Sequence, residues 1–168
     1  MRAEVGGLEQ LIYISVAQGR AESAMQMSDI LDQARPNNAR DGITGALTAV
    51  NGRFLQIIEG PAAALNRLLD QLAGDDRHRD LEILERRQVL GRTFPGWDMV
   101  SPRLMAAEVN KLAVLLDEDR RDIDAYAPVF LEALARQSAV LGEARSPSPS
   151  LPEGGSSRSD GVGGAIQE

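Results

Sequence analysis

Gly42-Ile43-Thr44-Gly45-Ala46-Leu47-Thr48-Ala49-Val50 and Phe54-Leu55-Gln56-Ile57-Ile58-Glu59-Gly60-Pro61 are two apolar runs parted by Asn51-Gly52. Asn and Gly both tolerate positive φ, so the dipeptide between such runs predicts a type I′ hairpin. Period two then places Phe54, Gln56 and Ile58 on one strand face and Leu55, Ile57 and Glu59 on the other. Working outward, Leu11-Ile12-Tyr13-Ile14 reads as a first strand. Met27, Ile30, Leu31 and Ala34 form one stripe of a helix from about Ser23 to Ala34. Leu65, Leu68, Leu69 and Leu72 repeat that spacing after Gly60-Pro61. Strands over 81–89 and around Trp97 complete the order β-α-β-β-α-β-β. The expectation is an α+β, ferredoxin-like mixed five-stranded sheet with both helices on one face, plus C-terminal helices.

Within this pattern Gln56 is out of place. A buried carboxamide has two donors and two acceptor lone pairs, and leaving one unpaired costs about 1–3 kcal/mol. A structural amide bonded to neighbouring backbone would satisfy it, and so would a polar ligand. Tyr13 also needs a partner when buried. Arg35-Pro36-Asn37-Asn38 follows the first helix, where the two carboxamides can cap its end or form a turn. Phe94-Pro95-Gly96-Trp97-Asp98-Met99 puts Trp97 and Met99 on one face of the last strand, as ordinary core residues or as part of a site.

Taken together over residues 10–100, these features resemble the BLUF domain, a blue-light receptor module that uses a flavin. The match rests on Tyr13, Asn37-Asn38, Gly42 to Gly45, Phe54 to Pro61, Asp75, Arg77, His78, Trp97 and Met99. The resemblance implies that Tyr13 and Gln56 form a hydrogen-bond network with the flavin ring, and that Asn38 bonds its carbonyl and N3 edge. It implies light-driven electron and proton transfer from Tyr13, a rearrangement of Gln56 and a small red shift of the absorption band. It further implies walls from Ile30, Ile43 and Phe54, which packing alone would equally place in a core. Arg77 and His78 become candidates for the pyrophosphate end of FAD, although the Asp75–Asp80 run also reads as a solvated loop. Either Trp97 or Met99 would lie beside Gln56. The implied cofactor is FAD, with FMN or riboflavin as shorter substitutes. Two departures stand out: Ala46 is smaller than the large aliphatic side chain often found there, and Gln71 replaces a basic residue some relatives use near the cofactor.

The remaining sequence narrows the class. With 18 Lys and Arg against 25 Asp and Glu, the net charge of −7 opposes direct nucleic-acid binding. Cys is absent, which removes disulfides and thiol chemistry. The apolar runs are too short for a membrane span and no leader is evident, so a cytoplasmic protein is expected. Residues 1–9 read as a flexible lead and 101–141 as a helical extension, with helices near 102–117 and 122–141. That extension would pack on the open sheet face or on a partner. Residues 142–168, rich in Ser, Pro and Gly, read as a disordered tail too short for an effector domain.

The favoured function is a non-enzymatic photoreceptor, a homo-oligomer that signals to a separate effector protein. Two alternatives remain: a light-inert flavin-binding adaptor, and a ferredoxin-like small-molecule enzyme or binding domain. For an enzyme, Glu59 and His78 are the tempting acid–base candidates.

Overall fold

The computed structural model describes residues 7–18, 23–117 and 122–144. β1 (Leu8–Ala17), β2 (Thr44–Val50), β3 (Arg53–Pro61) and β4 (His78–Gln88) form one sheet in the order β2-β3-β1-β4. All three strand pairings are antiparallel. The hairpin forms as the sequence predicts: Asn51 and Gly52 both take positive φ, at 51° and 74°. Gly45 permits the close approach of β2 to β3, because a Cβ there would sit 2.1 Å from the Ile57 carbonyl oxygen.

The sheet separates two cores, and the period-two reading of β3 holds. α1 (Ala24–Asp41) and α2 (Ala62–Ala73) cover one face, where Leu31 and Leu65 pack with Tyr13, Leu47, Phe54 and Ile58. α3 (Ala106–Leu115) and α4 (Tyr126–Ala144) cover the other, bringing Leu112, Tyr126 and Phe130 onto Ile12, Ile14, Leu55 and Ile57. Burial of these side chains is the main force fixing the layers, at about 25 cal/mol per Å² of apolar surface.

Several boundaries differ from expectation. The sheet has four strands rather than five. The segment expected as the last strand makes a single parallel bridge, Val100 to Ala46. Its bonds to β2 run from Gly45 N to Trp97 O (3.0 Å), Leu47 N to Val100 O (2.8 Å) and Val100 N to Gly45 O (3.1 Å). Pro95 and Gly96, the latter at φ 78°, turn the chain just before this contact and leave only a few residues to pair. The parallel bridge preserves the mixed character of the pairing. Trp97 and Met99 therefore do not share a strand face: Trp97 is 42% exposed and Met99 is buried.

α1 passes through Pro36 and ends at Asp41, seven residues beyond the expected stop. Proline removes one intrahelical donor, yet the following turn is held by Gly42, which takes φ 70° and donates to the Asn38 carbonyl. Asn37 and Asn38 are consequently helical residues, not a turn. β1 already includes Leu8 and Glu9, and α4 continues through 142–144. α3 begins after Met105 rather than near residue 102. The rest of the polar lead (1–6) and of the Ser/Pro/Gly-rich tail (145–168) lie outside the described residues.

Candidate functional site

A cleft of about 170 Å³ lies between α1, α2 and the sheet. Its apolar walls are Ile30 and Ala34 from α1, Leu68 and Leu72 from α2, and Leu47 and Phe54 from the hairpin. Its polar groups are Tyr13, Ser15, Asn38 and Gln56, with Gln33, Asn37, Gln71, Asp75, Arg77 and His78 nearer solvent. Eight of the eleven residues singled out from sequence line it: Tyr13, Ile30, Asn37, Asn38, Phe54, Gln56, Arg77 and His78. Ile43, Trp97 and Met99 do not.

Tyr13 and Gln56 are directly opposite one another in the β1–β3 register. Cross-strand neighbours on one face are close enough to bond, and the Tyr13 hydroxyl donates to Gln56 Oε1. On its other side, Gln56 Nε2 donates to the Met99 thioether at 3.3 Å. Met99 thus reaches Gln56 without lining the cleft. Each contact uses one donor or one acceptor of the amide, leaving one of each free. Gln56 is only 7% exposed, so that capacity has to be met inside the fold. Burial pushes the Tyr13 phenol well above its ordinary value, and the Asp75 carboxylate adds to the rise, so the hydroxyl stays protonated as a donor.

The other side chains divide by what already holds them. Asn38 is buried and donates through Nδ2 to the Asp98 carbonyl at 2.8 Å. Arg35 Nε donates to the Met99 carbonyl at 3.0 Å, so α1 grips the segment that carries Met99. Asn37 is exposed and bonds back to the Gln33 carbonyl within the helix. Arg77 is committed to Asp75 through Nε (2.9 Å) and Nη2 (2.5 Å), and Nη1 reaches Gln33 Oε1 at 3.0 Å. That bond to Arg77 holds the Asp75 carboxyl below the usual carboxylate range. The cation expected to await a pyrophosphate is already neutralised by its neighbour.

His78 packs edge-on against Phe54 with ring centroids 6.2 Å apart. Burial lowers its pKa, with Asp75 opposing and Arg77 adding to the fall. Its Nε2 and the Ser15 hydroxyl are buried without a hydrogen-bond partner. Ser15 was not legible as a site residue, although it shares the strand face of Tyr13, two residues along. Leu47, Leu68 and Leu72 were legible only as core.

Glu59 faces away from the cleft. Its carboxylate accepts from Thr44 Oγ1 (3.0 Å), Gln10 Nε2 (3.4 Å), Thr93 N (2.8 Å) and Phe94 N (2.6 Å). It is thus engaged in holding the chain at 93–94, and the sheet separates it from His78, so the two form no acid–base pair.

Comparison with known proteins identifies the family. The family model described as "BLUF: Sensors of blue-light using FAD" matches residues 8–100. The photoactivated adenylate cyclase subunit beta of Euglena gracilis is 37% identical over 95 residues, covering 56% of this chain and 11% of that protein. The chain therefore spans about a tenth of the length of such relatives. Among solved structures, the dark state of BlrB, a BLUF protein, has a TM-score of 0.54 at 28% identity, covering 81% of this chain and 98% of that one. A bacterial light-regulated adenylyl cyclase has the same score and identity, covering 82% of this chain and 36% of its own. No described helix is long and apolar enough to cross a membrane.

Proposed function

The chain belongs to the BLUF family, sensors of blue light using FAD, and from that premise we propose that its cleft holds an oxidised flavin switched by Tyr13 and Gln56. The family is described as sensors, and residues 8–100 are read as a sensing module with no catalytic step of their own. The cleft suits a flat, largely apolar ring with one polar edge: it has leucine, isoleucine and phenylalanine walls, and Gln56 has unspent bonding capacity between them. The carrying observation is the chain of contacts Tyr13–Gln56–Met99.

Bound flavin supplies absorption of blue light and an electron acceptor. Everything else falls to the chain. Tyr13 would lend an electron and its phenolic proton to the bound ring and take both back, so that no net oxidation remains. Gln56, which now accepts from Tyr13 and donates to Met99, loses the donor that fixes its orientation. A primary amide turned end for end exchanges donor and acceptor; Met99 then faces an oxygen it cannot donate to, and that contact is broken. The change reaches the 97–100 segment, which also bonds α1 and β2. FAD is the expected form, held mainly by its ring because Arg77 is occupied; FMN and riboflavin should substitute.

The relatives named above include cyclases, in which a sensor of this kind is linked to an effector. We infer that here the signal leaves through the α3–α4 surface or a change in self-association, toward an effector protein.

The test is a visible spectrum in darkness and under blue light. Flavin bands with a reversible red shift are expected. Gln56→Leu should keep the bands and lose the shift, and Tyr13→Phe should keep flavin binding and lose the normal photoproduct. Absence of flavin after reconstitution would defeat the reading, and bands without a shift in the unmutated protein would leave only a light-inert binder. Elution in dark and light distinguishes a change of oligomer from a local surface signal.

A further inference from the structure

The orphaned groups beside Phe54 carry an assignment of their own. Ser15 is 2% exposed, and His78 is half-buried. Both line the cleft, and both Ser15 Oγ and His78 Nε2 are buried without a partner. Buried polar atoms are rarely left unpaired, because the cost of desolvation is then not recovered. Two such atoms in one cleft mark a place prepared for a polar group that comes from outside the chain.

Their position narrows that group. Tyr13, Ser15 and Ala17 alternate onto the cleft face of β1. Ser15 lies where the β1–β4 register shifts, and His78 pairs with Ala17 just beyond it. Ser15 is thus two residues along β1 from Ala17, the cross-strand partner of His78. Ser15 and His78 lie between the Tyr13–Gln56 pair and the partly exposed mouth at Asp75 and Arg77.

We infer that Ser15 Oγ and His78 Nε2 form a subsite for a hydroxyl on the ribityl side chain of the flavin. A hydroxyl donates and accepts at once, so a single group can satisfy both a serine oxygen and an imidazole nitrogen. The ring edge is already assigned to Tyr13 and Gln56, and apart from one N–H it offers only acceptors. Among the groups that riboflavin, FMN and FAD share, the ribityl hydroxyls are those left that bond in both senses. The inference rests on the flavin reading above.

The experiment is a cycle of ligand against variant on the full chain. Riboflavin and lumiflavin, which carries a methyl group in place of the ribityl chain, are titrated by fluorescence into the unmutated protein, Ser15→Ala and His78→Phe. Each substitution should weaken riboflavin roughly three- to ten-fold, the worth of one net hydrogen bond, and leave lumiflavin unchanged. The flavin-free Ser15→Ala protein should melt no lower than the unmutated one, because the deleted hydroxyl has no partner in the chain. Equal losses for both ligands, no loss for either, or a lowered melting point in flavin-free Ser15→Ala would overturn the subsite while leaving the flavin reading intact. If the unmutated protein binds neither ligand, the flavin reading itself fails.

Discussion

Replacing Glu59 by glutamine changes one atom, yet the geometry predicts a large loss of stability. The two backbone N–H groups of Thr93 and Phe94 meet different oxygens of the carboxylate, at 2.8 and 2.6 Å. Glutamine offers one oxygen. Whichever way its amide turns, one of those N–H groups faces an NH₂ in a site with no exposure to water. An unpaired buried donor costs about 1–3 kcal/mol. The surviving bond also loses its charge assistance, which roughly halves its strength. The expected total is about 2–4 kcal/mol, a sizeable share of the ~5–15 kcal/mol that holds a domain together. Urea unfolding followed by far-UV circular dichroism should show a lower midpoint at unchanged slope. Native-state amide exchange at Thr93 and Phe94 should accelerate. A stability within about 0.5 kcal/mol of the unmutated protein, the range of ordinary surface changes, would refute the view that this carboxylate clamps the 93–94 segment.

Three further outcomes follow from described contacts. Gly45→Ala places a methyl group 2.1 Å from the Ile57 carbonyl oxygen, so β2 and β3 must part; a loss of about 3 kcal/mol or more is expected, and a normal unfolding midpoint would contradict it. His78 is the single histidine, and burial holds its pKa below the ordinary 6.5. The unfolded chain therefore takes up the proton first, and stability should fall as pH drops from about 7 toward 5; His78→Phe should flatten that slope, and identical slopes would rule out the linkage. The bond to Arg136 holds the Glu108 carboxyl below its ordinary 4.5. Its contribution is present above that pH and lost as pH falls through the depressed value, so Glu108→Gln should be the less stable protein at pH 7, with the gap closing in acid. A gap that stays constant down to pH 3 would show that the ion pair does not stabilise the fold.

The parts of the molecule legible in its sequence are those governed by local rules. Asn51-Gly52 specified the turn, and with it the face of every β3 residue. Once Gln56 and Tyr13 were each placed on a cleft-facing strand position, only the pairing register remained, and that register puts them opposite one another. What escaped depended on contacts distant in sequence. Pro36 reads as a stop, but α1 continues because Asn38 and Arg35 are fastened to the chain at 98–99. Trp97 and Met99 read as partners on a strand, whereas a three-bond contact with β2 leaves one outside and one against Gln56. Arg77 is the exception to distance: the partner that takes it from the pyrophosphate is Asp75, two positions earlier, and Gln33 adds one bond from 44 positions away. Ser15 could not be separated from any other small strand residue until its hydroxyl was seen to lack a partner.

Trp97 has a practical consequence of a different kind. It is the sole indole among 168 residues, half-turned to solvent at the tip of the loop whose neighbour Met99 touches Gln56. Its emission colour and quenching by dissolved iodide are therefore a built-in optical readout of that loop. The movement of a single backbone stretch can be followed in the native molecule, with no label attached.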